Sequence, residues 1–363
     1  MRTSLLVVGA GPFGLAMASR ARHLGVEHVV VGRPMEFWRR HMPRGMLLRS
    51  GFEWHLDPQE EDTLERYGAE RGVSRGKPLN LDAYLGYAEW FRRRQGIDVL
   101  EARVERLEPG FRATLDDGSA IEADAVLVAP GFRPFRHEPE DVTSLLPEGT
   151  WTHTCEGVDL RRFRGRRCLI VGGRQSAFEW AALLLESGAA AVDLSYRHET
   201  PSFRESDWTW VDPMLERMAE EPGWFRGLSG PERESLDRRF WEEGRLKLEP
   251  WLAPRIAAAR LHPRTRIAAC DADLNVQLDD GATVAVDHVI LATGYRVDLE
   301  RLPLLRELTV ETRDGFPVLG ERLQTSVPGL FLTSLPATRD FGLFFAFTSA
   351  VRTSARLVAA ALR

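Results

Sequence analysis

Leu5-Leu6-Val7-Val8 runs directly into Gly9-Ala10-Gly11-Pro12-Phe13-Gly14, and that spacing has a defined chemical use. The first glycine permits a tight exit from a strand, and the second lets backbone approach a pyrophosphate without a Cβ in the way. The third allows a helix to pack closely on the strand, and the helix N-terminus offers unpaired N–H groups to the phosphates. A second version follows 163 residues later, where Leu169-Ile170-Val171 runs into Gly172-Gly173-Arg174-Gln175-Ser176-Ala177. The same offset pairs Leu115-Asp116-Asp117-Gly118 with Leu278-Asp279-Asp280-Gly281, and Asp124, Ala129 and Gly131 with Asp287, Ala292 and Gly294. One glycine turn is weak evidence, but landmarks shared in a single register read as two copies of one nucleotide-binding unit. Such a chain brings two cofactors together.

Each copy departs from the pattern at one point. An acid about twenty residues past the turn usually accepts hydrogen bonds from the adenosine ribose, yet here the strand ends Val31-Gly32-Arg33. Losing that contact costs about 1–3 kcal/mol, which a large ligand absorbs elsewhere. Arg33 can stack on the adenine or simply face solvent. In the second copy Arg174 replaces the second glycine, so its guanidinium either folds over the phosphates or obstructs them. Arg197, at the end of the strand Val192-Asp193-Leu194-Ser195-Tyr196, suits a ribose 2′-phosphate and therefore NADPH; a plain surface charge is the competing reading.

The elements that hold these turns are legible in outline. Residues 5–8 read as a parallel strand buried on both faces, and Leu15, Ala16, Ala18, Ala21 and Leu24 as a helix stopping at Gly25. Val29-Val30-Val31 returns as the next strand, completing a βαβ unit. The pattern leaves 34–76 irregular, puts a helix over Leu81 to Arg94, and puts strands over Val99 to Val104 and Ala125 to Ala129 around a turn at Asp117-Gly118. The second unit repeats this order but carries an extra piece at about 199–262, which holds five of the ten tryptophans. That insert either walls a substrate site or fills its own core. A strand at Leu330 to Thr333 and a terminal helix from about Phe345 complete the chain. The fold class is α/β with two Rossmann-like dinucleotide-binding domains.

Bulk properties narrow the function. At 363 residues there is room for about two domains, and 44% apolar with 28% charged residues is the balance of a soluble globular protein. A net charge of -5 gives no reason to expect nucleic acid. Cys155, Cys168 and Cys270 have no C-x-x-C or metal spacing, which fits a reducing cytoplasm, excludes a dithiol centre and predicts no metal site. The early apolar stretch is broken by glycine and proline, so neither a secretory signal nor a membrane span is expected.

Three passages carry a resemblance. Gly9 to Leu15 is similar to the FAD turn of the lysine and ornithine N-hydroxylases. Phe37-Trp38 with Gly45-Met46-Leu47-Leu48 resembles their segment along the flavin. Asp287-His288-Val289-Ile290-Leu291-Ala292-Thr293-Gly294-Tyr295 matches their D-x-x-x-L-A-T-G-Y motif. Gly149 and His153 echo part of a signature of the flavin-containing monooxygenases, although Pro147 and Gly157 depart from it. The chain thus resembles class B flavin-dependent monooxygenases with two dinucleotide folds, over nearly its whole length. The resemblance implies a discontinuous FAD domain over 1–155 and 290–363, with an NADPH domain inserted over 156–289. It further implies FAD contacts at Gly9, Gly11, Pro12, Phe13, Gly14, Arg33, Trp38, Met46, Leu47, Gly131, Thr293, Gly294 and Tyr295. Gly172, Arg174, Gln175, Ser176 and Arg197 would meet NADPH. The tail from Pro328 to Gly342 would close over the flavin, with Phe344, Phe345 and Phe347 near its rings.

The activity so implied is transfer of one oxygen atom from molecular oxygen to a small amine or sulfide-type nucleophile, driven by NADPH. No acid–base pair stands at a telling spacing; His55 and His153 are candidates by position, and a structural histidine is the more frequent outcome. Catalytic residues are therefore left unassigned. A small-molecule substrate is the expected partner, without nucleic acid or membrane, and with a homodimer left open. Two other classes remain: a flavoprotein reductase or oxidase that never oxygenates its substrate, and a flavin-binding protein without turnover.

Overall fold

The computed structural model describes residues 1–76 and 78–362. Strand β1 (Arg2–Val8) has Leu5, Leu6 and Val7 fully buried, which is why it reads as an unbroken apolar run. The chain turns through Gly9 to Gly11 into α1 (Pro12–His23), with proline in its first turn, and returns as β2 (His28–Val31) parallel to β1. Strand β3 (Ala120–Val128) pairs with β1 on the other side, setting Leu5 opposite Ala125. Val99–Leu100 extends the sheet beyond β2, while Val104–Glu108 and Arg112–Leu115 form an antiparallel meander beside β3.

The second unit repeats this register. Strand β4 (Arg167–Val171) leads into α2 (Gln175–Glu186) and β5 (Ala191–Tyr196). The insert then contributes Val211–Glu220 and the longer helix α3 (Gly230–Gly244), opened by a Ser229/Glu232 capping box. Strand β6 (His288–Leu291) pairs with β4 so that Cys168 faces His288, the positions that Leu5 and Ala125 hold in the first unit. The hairpins agree to the hydrogen bond. Asp116 Oδ1 accepts from the Arg103 N–H at 3.0 Å, and Asp279 Oδ1 accepts from the Arg266 N–H at 2.9 Å. Strand β7 (Leu330–Leu332) then rejoins the first sheet against β3, and α4 (Val351–Ala361) packs on α1.

Several expected boundaries move. Trp151–His153 pairs with β6, so it belongs to the second sheet, and so do residues 290 and 291. The division at 155/156 therefore falls earlier, and Leu146 already lies in the second unit's core. The insert ends before 260, because Arg260–Pro263 is the parallel edge strand next to β5. The tryptophan-rich piece does not fill a core of its own: Val211, Met214, Leu215, Phe225 and Phe240 share the first fold's core with Phe344 and Leu357. Residues 34–76 include a helix, Leu64–Arg71, capped by Thr63. The terminal helix starts at Val351, after two 3-10 turns across 343–350. Val99 to Val104 divides between two strands because it serves two different neighbours.

Glycine matters where backbone meets backbone. A Cβ on Gly14 would overlap the carbonyl oxygen of Gly9, whereas nothing lies within 4 Å of one on Gly11. Gly14→Ala is therefore expected to cost about 2–3 kcal/mol through overpacking, read as a lower thermal midpoint. Gly11→Ala, in flavin-free protein, is expected to stay within about 0.5 kcal/mol of the parent. Equal losses at the two positions would contradict the helix-on-strand contact.

Candidate dinucleotide and substrate cleft

A cleft of about 1200 Å³ opens at the C-terminal ends of β1 and β2, where an α/β sheet binds its ligand. Gly9, Ala10, Gly11, Pro12 and Phe13 form one end, with Gly32, Arg33 and Glu36 beside them. Trp38 and Met46 line its length, Gly131, Gly294 and Tyr295 its crossing between the folds, and Ser176 and Trp180 its far wall. The volume exceeds the roughly 300–1,000 Å³ of an ordinary small-molecule site, which leaves room for a dinucleotide and a second molecule.

The residues at the first turn fit a dinucleotide. Gly11 caps α1 without a side chain, no acidic residue stands in the helix's first turn, and the space where a Cβ would grow is open. First-turn N–H groups are thus free of side-chain caps and favour a pyrophosphate. The end of β2 carries no acid, but Glu36 of the next short helix lies at the same end of the cleft. The chain bends back through Met35, whose N–H donates to Ala10 O at 3.0 Å, and brings Glu36 to the cleft. Glu36 Oε1 accepts from Arg33 Nη1 at 3.0 Å, so Arg33 is held by an acid. A search for an acid on the strand end misses a carboxylate delivered by the following short helix.

Aromatic rings build the wall where the chain crosses between folds. Phe37 lies 5.7 Å from Phe132, and Phe132 lies 5.0 Å from Tyr295. His153 stands edge-on to Tyr295 at 5.3 Å, outside the cleft lining. Its Nε2–H donates to Gly294 O at 3.0 Å and its Nδ1 accepts from the Cys155 N–H at 3.3 Å, which fixes one neutral tautomer. Burial lowers its pKa to about 4, and burial raises the Cys155 thiol to about 11, so neither is charged at neutral pH. His153 pins Gly294 in place. His55 lies buried beside Arg352 at 3.2 Å and also lines no part of the cleft. His41, missed in the sequence, is the histidine that does line it; its Nδ1–H donates to Cys155 O at 2.8 Å.

The remaining expected contacts are placed elsewhere. Leu47 uses its N–H on Glu179 Oε1 at 3.1 Å, which ties the first fold to α2. Burial pushes Glu179 up to about 6, against the pull of Arg255 at 2.9 Å. Thr293 donates its hydroxyl to His137 O, bracing the crossing. Gly14 and Gly172 serve helix and strand packing, not the cleft surface: a Cβ on Gly172 would meet Ala292 O. Arg174 and Gln175 bond to the insert, and Arg197 is exposed, outside the cleft lining but within electrostatic reach of His137. Of the tail phenylalanines Phe347 lines the cleft while Phe344 and Phe345 are core. The insert reaches the wall through Phe240 and Arg245. Among the described residues no His, Cys, Asp and Glu cluster could hold a metal, and no helix is long and apolar enough to cross a membrane.

Comparison with known proteins agrees with this architecture. The family described as pyridine nucleotide-disulphide oxidoreductase matches residues 6–222 and, in a second model of the same description, 258–333. A ferredoxin--NADP reductase of Ralstonia pickettii is 32% identical over 62% of this chain; the match spans only 59% of that protein's length. An ornithine N-hydroxylase of Kutzneria sp. 744 superposes with a TM-score of 0.80 at 15% identity, covering 100% of this chain and 99% of that one. A flavin-containing monooxygenase of Stenotrophomonas maltophilia gives 0.73 at 21% identity, covering 99% and 98%. At these identities the structural likeness establishes the fold.

The buried histidines make acid sensitivity predictable. His153 titrates near 4 when folded and near 6.5 otherwise, and burial lowers His288 in the same way. Between those values the unfolded chain binds histidine protons that the folded chain refuses, so the histidines' contribution is intact above pH 6.5 and is lost as pH falls. Glu179, whose raised pKa works the other way, offsets part of that loss. Thermal midpoints at pH 7 and pH 5 should differ, and His153→Gln should narrow the difference. An undiminished gap in that variant would show that His153 accepts its proton within the fold.

Proposed function

The chain belongs to the pyridine nucleotide-disulphide oxidoreductase family, and from that premise we propose that it is an FAD-dependent monooxygenase reduced by NADPH. Its substrate would be a small nucleophile of the amine or sulfide type. The overall change consumes NADPH, a proton, oxygen and substrate, and yields NADP⁺, water and oxygenated substrate. The observation that carries this reading is the cleft of about 1200 Å³, which joins a free Gly11 turn to an aromatic crossing at Phe132 and Tyr295 and has no cysteine in its lining. A C-x-x-C exchange centre has no place here: Cys155 and Cys168 are buried, Cys270 is half-buried, and none has a partner at that spacing.

When bound, FAD supplies the two-electron chemistry between nicotinamide and oxygen. The chain's residues supply position and exclusion. The Gly9 to Gly14 turn and the α1 N-terminus would hold the pyrophosphate, with Glu36 accepting from the ribose hydroxyls and Arg33 covering the adenine end. Trp38, Met46, Phe132 and Tyr295 would keep water from the reacting centre. With the His41 Nδ1–H donated to Cys155 O, Nε2 is the ring atom left to accept a hydrogen bond from a substrate.

A second reading is a reductase that passes electrons to an acidic carrier protein. The arginine-rich rim favours it: Arg133, Arg296 and Arg301 line the cleft edge, and the latter two, after burial, lower the pKa of His137. The name of the Ralstonia pickettii relative points the same way.

Anaerobic NADPH is expected to bleach the yellow holoprotein, and oxygen with an amine or sulfide should then restore the colour while oxygenated product forms in proportion to NADPH consumed. Electrons recovered entirely as hydrogen peroxide, whatever nucleophile is present, would overturn the monooxygenase assignment. Gly11→Leu should purify without flavin, because its side chain takes the pyrophosphate's place; full flavin content in that variant would remove the first turn as the FAD site.

A further inference from the structure

The second glycine turn is covered by its own insert. Arg174 occupies the position that Gly11 holds in the first unit, and its guanidinium donates to the backbone oxygen of Arg245 while lying 4.9 Å over the Trp241 ring. Gln175 Oε1 accepts from the Glu249 N–H at 3.2 Å, adding a second tie to the same stretch. Beside them the Tyr196 ring, standing where Arg33 stands in the first unit, presses on Gly173 so closely that no Cβ would fit there. The corridor that is open along Gly11 is thus filled along Arg174.

The covering segment has a second face. Phe240 and Arg245 form part of the main cleft wall, and Glu249 holds Arg49 of the first fold at 2.9 Å. One stretch, from the end of α3 to Glu249, therefore closes the second turn and shapes the main cleft.

We propose that this stretch is a strap latched by Arg174, and that a phosphate-bearing adenine nucleotide opens it by drawing the Arg174 guanidinium away from Arg245 and Trp241. The proposal deepens the reading above, since it takes NADPH as the reductant. A cation on a half-exposed indole and a neutral carbonyl is held weakly, and a phosphate offers the same guanidinium paired, charge-assisted hydrogen bonds. Gln175 Nε2, buried and without a partner in this arrangement, is a further donor at the same place. Opening shifts the Trp241 and Arg245 side chains while Arg49 keeps its hold on Gly244 and Glu249, so nucleotide binding at one turn reshapes the cleft wall at the other. Nucleotide then binds ahead of substrate, and Arg174 is the residue that enforces the order.

The test uses the flavin-loaded protein and adenosine 2′,5′-bisphosphate, so that binding is read without turnover. Trp241→Ala removes the latch but keeps the phosphate-gripping arginine, and should tighten the bisphosphate roughly three- to tenfold by calorimetry. Arg174→Ala removes the grip and should weaken it. In the unaltered protein, trypsin cleavage after Arg245 and Lys247 should be slow and should quicken at saturating bisphosphate; this measurement needs no variant to fold. Unchanged affinity in Trp241→Ala, or cleavage indifferent to bisphosphate, would overturn the strap, as would failure of the bisphosphate to bind. The two ideas separate cleanly. If NADPH never bleaches the flavin but bisphosphate still frees the strap, the proposed function fails and the strap stands.

Discussion

Backbone at Gly9 lies so close to the carbonyl of Ala129 that no side chain fits between them, and the second unit repeats the contact between Gly172 and Ala292. This approach fixes where each strand ends, where each helix begins, and how β3 and β6 close beside β1 and β4. A larger residue at either glycine would push the turn off its neighbour and misalign the helix N-terminus. The geometry that can receive a pyrophosphate follows from that packing, before any ligand is considered.

On this shared frame the two turns diverge by one residue. Gly11 leaves its corridor empty and the cleft begins there, whereas Arg174 crosses its corridor and engages the insert. The insert also welds the folds together. Arg49 with Glu249, and Leu47 with Glu179 and Arg255, link the first fold to the second through largely buried groups. Such pairs add little net stability, but leaving one partner unpaired is costly, so they specify orientation. The α/β frame alone would allow several relative placements; these links select one.

Much of this was legible in the amino-acid sequence for a physical reason. The close approaches require glycine at fixed positions, and the buried strands require unbroken apolar runs; both leave marks on residue type. The 163-residue repeat extends down to the Asp116 and Asp279 hairpin bonds, where each aspartate accepts from the backbone N–H of the residue leading into the facing strand. What was not legible depends on long-range pairing. Trp151–His153 is too short to show a period and is assigned to its sheet only by β6. Glu36 sits in a five-residue helix whose approach to the cleft is set by the bend at Met35. The insert's aromatics read equally well as a private core, and only the tertiary structure shows them shared with the C-terminal helix.

The central claim is that the first turn is the seat of one flavin dinucleotide and that the second, as folded, does not take another. Titrating flavin-stripped protein with FAD, and counting bound flavin against chain concentration, tests it directly. Saturation is expected at one FAD per chain. Saturation at two, or protein that stays colourless at high FAD, would contradict it.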